Sequence, residues 1–175
     1  MDNLMNKPAD QKQWYFGNWT ALGWLETGLK LAGHAIAFYA LTQIPAGISP
    51  ALSFPVVLLG IITLSYVAAI YDRWLEKEIT AMLFVVVNVT AHAAMTWTLA
   101  HANNNLYFLG LMFAALMLAG DLVKIAFLLR TKFTVRNVTT RQMVTLTGGL
   151  VIAYALVIAA LVISLTSVCC ALPPA

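Results

Sequence analysis

Apolar residues run almost unbroken through most of this chain. They show neither the strict alternation of a half-buried strand nor the one-sided stripe of a helix lying on a soluble core. The length of each run decides what it can be. A hydrocarbon core about 30 Å thick requires roughly 20 mostly apolar residues at about 1.5 Å of helical rise each. Stretches of that kind fall at about 24–43, 54–71, 79–101, 106–129 and 143–168. A membrane barrel needs short, strictly alternating strands of about ten residues, and no such set can be drawn here. The pattern therefore predicts an all-α polytopic integral membrane protein with five transmembrane helices in one bundle.

Turn-forming residues separate these runs. Pro45, Gly47, Pro50 and Pro55 close the first stretch and open the second, and Asn103, Asn104 and Asn105 form a tight turn between the third and fourth. Pro55 is expected in the first turn of its helix, where a missing backbone donor costs nothing. Residues 1–23 form a polar and then aromatic segment, with Trp14, Tyr15, Phe16, Trp19 and Trp24 gathered just before the first apolar run. Indole and phenol rings favour the headgroup level, so this segment is expected at the membrane surface. Residues 169–175 make a short tail. No inverted repeat is evident, and no polar insert is long enough to form a soluble domain.

The positions of the basic residues set the orientation. Lys7 and Lys12 precede the first run, Arg73 and Lys77 follow the second, and Arg130, Lys132, Arg136 and Arg141 follow the fourth. The alternate segments, about 44–53, 102–105 and 169–175, carry no Lys or Arg. Short loops rich in Lys and Arg stay in the cytoplasm, which predicts a cytoplasmic amino terminus and an external carboxyl terminus in the cytoplasmic membrane. Arg130, Lys132, Arg136 and Arg141 are expected to contact anionic lipid headgroups, at about 1 kcal/mol each.

Composition removes the remaining classes. With 61% hydrophobic residues, 10% charged residues and a mean hydropathy of +0.83, the 175-residue chain is neither a water-soluble globule nor a disordered segment. A net charge of +3 spread over short loops does not form a nucleic-acid surface. The two cysteines, Cys169 and Cys170, are neighbours and give no disulfide framework. No zinc-protease helix, phosphate loop, dinucleotide fingerprint or nucleophile elbow is present, so no catalytic residue and no metal site is assigned.

Ionisable groups inside a span cost about 2.5 to 3.5 kcal/mol each on insertion scales, so each needs a reason. Glu26 and Lys30 lie one turn apart on the first run, and Asp121 and Lys124 lie three apart on the fourth. Counted from the proposed cytoplasmic ends, Lys30 and Lys124 are each about 9 Å deep and Asp121 about 13 Å. These depths predict that the first and fourth helices pack together, with Lys30 reaching Asp121 and Lys124 reaching toward Glu26 or the headgroups. Asn88 and Tyr154 complete an expected intramembrane polar network of Glu26, Lys30, Asn88, Asp121, Lys124 and Tyr154.

His34 and His92 both fall near the midplane, on different helices and among small residues. Two such imidazoles are the minimum for a bis-histidine haem b, or they could line a quinone headgroup pocket. They are the cofactor-binding candidates. The leading expectation is a non-catalytic accessory or scaffold component of a membrane complex, with the lipid bilayer, a second copy or a larger assembly as partner. A haem- or quinone-binding redox anchor is the first alternative, and a small proton-coupled transporter or channel using Asp121 is the second.

Overall fold

The computed structural model describes residues 20–75, 79–102, 104–132 and 138–170. Five helices follow one another: α1 (Ala21–Leu41), α2 (Phe54–Leu75), α3 (Ile79–Ala100), α4 (Asn104–Thr131) and α5 (Thr140–Cys170). No strand occurs among the described residues. Four of the helices, α2 to α5, contain segments long and apolar enough to cross a membrane: Phe54–Tyr71, Met82–Ala100, Asn105–Thr131 and Thr140–Thr166. The exception is α1, whose 21 residues include Glu26, Lys30 and His34.

Local chemistry explains where the helices begin and end. Thr20 caps α1, its side chain accepting from the Gly23 amide. Pro55 lies in the first turn of α2 as its geometry requires. A reciprocal capping box opens α5: the Gln142 amide donates to Thr139 Oγ1 at 3.3 Å, and the Thr139 amide donates to Gln142 Oε1 at 2.8 Å. Lys132 ends α4 at φ 47, in the left-handed region. Gly47 turns the α1–α2 connection at φ 87, a conformation glycine adopts without a steric penalty.

The helices close into a ring. Among the described residues α4 packs on α1, α1 on α3, α3 on α2, α2 on α5 and α5 back on α4, with a slighter contact between α3 and α4. Close approaches set the directions. Gly33 of α1 faces Met117 of α4, whereas Gly120 of α4 faces Lys30 and Glu26 of α1, so these two helices run antiparallel.

Inside the ring lie Ala37 and Ala40 of α1, Leu59 and Ile62 of α2, Ala91, Met95 and Leu99 of α3, Phe113, Ala114 and Met117 of α4, and Val157 and Leu161 of α5. The outer faces are apolar as well: Val57, Ile61 and Leu64 on α2 and Ile152, Leu156 and Ile163 on α5 are exposed. A helix apolar all round suits a lipid surround, where burial against another helix gains little over burial against acyl chains. Cohesion then rests on close packing and on polar contacts. Small residues supply the first. Gly33 would bring a Cβ within 3.2 Å of Met117 Sδ, and Gly110 one within 2.8 Å of Leu99 Cδ2. Gly28 and Ala155, in contrast, face outward.

Candidate functional site

Helical hydroxyls contribute little to the second kind of contact, because most of them bond to their own helix. Thr63, Thr96, Thr98 and Thr147 donate to the carbonyls of Leu59, His92, Ala94 and Met143, each one turn back. Two clusters of polar side chains join different helices inside the ring.

In the first, Lys30 is shared by two carboxylates. Its Nζ lies 2.9 Å from Glu26 Oε1, one turn back on α1, and 2.8 Å from Asp121 Oδ1 on α4. Asp121 has no exposed surface and Glu26 is 8% exposed. Gly120 makes this arrangement possible. A Cβ there would stand 3.0 Å from Lys30 Cγ, so the bare backbone of α4 is the bed on which the lysine stem lies. Asp121 Oδ2 is buried and has no hydrogen-bond partner among the described residues.

A second cluster is built around His92, which is fully buried. Its ring stands 4.9 Å from that of Tyr66 on α2, 5.1 Å edge-on from Phe113 on α4, and 5.9 Å from Tyr154 on α5. A backbone carbonyl can only accept, so the 2.6 Å contact to the Asn88 carbonyl places a hydrogen on His92 Nδ1. In the neutral ring Nε2 then accepts from the Tyr154 hydroxyl. Tyr66 completes the cluster from α2 through its ring contact with His92. Asn88 carries the network to α1. Its amide nitrogen donates to the Phe84 carbonyl at 2.9 Å, which turns Oδ1 toward His34 Nε2 at 3.2 Å. His34 Nε2 therefore bears the hydrogen, and Nδ1 is buried without a partner among the described residues.

All five helices contribute: Glu26, Lys30 and His34 from α1, Tyr66 from α2, Asn88 and His92 from α3, Asp121 from α4 and Tyr154 from α5. The depth count anticipates the Lys30–Asp121 contact and the packing of α1 on α4. Lys124 is half-buried one turn further along α4.

The two histidines do come close, but through Asn88 and not around a shared ligand. With Nδ1 on a carbonyl and Nε2 on a phenol, His92 as placed has no nitrogen left for iron, so the pair does not fit bis-histidine haem. Among the described residues no three His, Cys, Asp or Glu side chains converge to hold a metal ion. Of the headgroup candidates, Arg130, Lys132 and Arg141 are exposed, and Arg136 lies outside the described residues.

Tyr66 is the member that the sequence pattern does not single out. The available signal is a phenol well inside an apolar helical stretch, unlike Tyr71 at its end, which has to find a partner when its surroundings are hydrocarbon. No protein-family model, curated protein or solved structure matches this chain.

Proposed function

We propose that the chain is a multi-pass protein of the cytoplasmic membrane that crosses the bilayer five times, with its amino terminus in the cytoplasm and its carboxyl terminus outside. It acts without bond chemistry, as an accessory or scaffold component of a membrane complex, with lipid and either a second copy or a larger assembly as its partners. The observation that carries the five crossings is the inward pairing of α1. Its 21 residues extend about 32 Å, enough for a crossing, and the Lys30 charge that lowers its apolar character is paired with Glu26 on the same helix and with Asp121 inside the ring. The orientation is supported by the confinement of Lys and Arg to alternate connections.

Reporter fusions after Leu41, Leu75, Ala102, Lys132 and Ala175 test the topology. External signal is expected at the first, third and fifth junctions and cytosolic signal at the second and fourth; cytosolic signal at Ala175 would refute it. The assembly role is tested by native-gel mobility after mild detergent extraction from the host membrane. Migration as a single chain would count against it.

A further inference from the structure

The end of the ring opposite the Lys and Arg connections holds no formal charge. Residues 31–71, 79–120 and 142–175 contain no Asp, Glu, Lys or Arg, so the last turns of α1, α3 and α5 and the first turns of α2 and α4 are neutral throughout. At this end a cleft of about 420 Å³ opens between the end of α1 and the start of α4. Tyr39 and Gln43 line it from the α1 side, and Asn105, Leu106, Phe108 and Leu109 from α4. Antiparallel packing of the two helices sets these ends side by side. The volume falls within the range of about 300 to 1,000 Å³ usual for small-molecule sites.

Burial separates the lining into a base and a mouth. Leu106 is buried and Leu109 half-buried, whereas Tyr39, Gln43, Asn105 and Phe108 are exposed. Gln43 gives one amide hydrogen to Thr42 Oγ1 at 3.0 Å, and a primary amide carries a second hydrogen and a carbonyl oxygen besides. A phenol and two amides thus offer hydrogen bonds without charge, beside the apolar surface of Leu106, Phe108 and Leu109. An anionic head group would meet no cation here, and a cationic one no carboxylate. In either case a charge entering the cleft loses hydration without gaining a counter-ion. An uncharged head that accepts hydrogen bonds, joined to an apolar body, matches both parts of the lining. Carbonyl oxygens are acceptors of that kind, whether in the esters of a diacylglycerol or in the ring of a quinone.

We propose that the cleft between α1 and α4 binds an uncharged membrane amphiphile with a carbonyl-bearing head. Tyr39 and Asn105 donate to its carbonyl oxygens from opposite walls, Gln43 adds a further donor, and the apolar body passes over Phe108 toward the lipid. The site rests on the reading of the chain as a membrane protein and names the kind of lipid that is its partner. It uses neither His34 nor His92, so it is separate from the histidine pair that the sequence offers for a quinone head.

The test is equilibrium binding to the full chain in detergent micelles, read as a saturable rise in melting temperature, since a ligand held only by the folded state raises it. A short-chain diacylglycerol and a decyl-substituted benzoquinone are the probes, with phosphatidylglycerol as the charged competitor. Saturable binding of at least one probe is expected. The diacylglycerol alone would assign the site to glyceride esters, the quinone alone to a quinone, and both to the carbonyl head in general. Asn105→Leu and Tyr39→Phe, at exposed positions, should each weaken binding by about three- to tenfold. Thr145→Val, at an exposed position on the opposite end of the ring, should leave it unchanged. Absence of saturable binding by both probes overturns the site, as does binding that both cleft variants leave unaltered or that phosphatidylglycerol displaces equally well. Reporter fusions do not depend on either probe, so failure here is distinct from failure of the five-crossing reading.

Discussion

Lys30 and Asp121, 91 positions apart in the chain, meet at 2.8 Å across the α1–α4 contact, and Glu26 holds the same ammonium at 2.9 Å. In an apolar surround this is the strongest connection available between the two helices. Hydrophobic burial adds little there, whereas a charge that loses its partner keeps its full desolvation cost.

Breaking that pair from either side is expected to destabilise the bundle by about 3 kcal/mol. Lys30→Met leaves Asp121 as an uncompensated buried charge, and Asp121→Asn weakens the hold on Lys30. The double variant should lose less than the sum of the singles, by about 1 kcal/mol or more, because the second change removes a group already without its partner. Reversible unfolding in mixed micelles measures this. Strict additivity would show that the contact carries no coupling.

Gly120→Ala should be harmful where Gly28→Ala is not. The first places a methyl 3.0 Å from Lys30 Cγ, on a stem fixed at its head by two acids, and overpacking of this kind costs about 1 to 3 kcal/mol. At Gly28 nothing lies within 4 Å of the added carbon, so the helix gains up to about 1 kcal/mol from alanine's higher propensity. Melting temperatures of the two variants should move in opposite directions. Movement in the same direction would argue that Lys30 does not lie across α4.

Tyr154→Phe removes the donor that faces His92 Nε2 while keeping the ring, so its cost isolates the hydroxyl. About 1 to 3 kcal/mol is expected from the acceptor left buried. Tyr39→Phe, at an exposed ring near the end of α1, should be close to neutral. Equal, negligible effects at both positions would show that the His92 cluster is not a structural joint.

Lys132→Gly should stabilise the end of α4. A lysine at φ 47 bears a steric penalty of about 1 kcal/mol that glycine avoids. The gain should appear as slower amide exchange in the last turn of α4. Faster exchange would mean that the lysine side chain contributes more than its backbone conformation costs.

Much of the architecture was already determined by the order of the residues. The lengths of the apolar runs specify five helices, because helical rise and bilayer thickness leave little choice, and the observed ends depart from the predicted ones by only a few residues at capping boxes and turns such as Thr139–Gln142 and Lys132. The depth of Lys30 and Asp121 likewise foretells their meeting, because charges in an apolar run must pair and only partners at one level can do so. What the linear pattern does not contain is azimuth. His34 and His92 were both expected near the midplane, but only packing turned Asn88 between them and gave His92 to Tyr154 and the Tyr66 ring, closing off the nitrogens of His92 that a metal would need. A helix apolar on every side carries no stripe that says which face turns inward. That choice was made by shape, in the fit of Gly33 against Met117, Gly120 against Lys30 and Gly110 against Leu99.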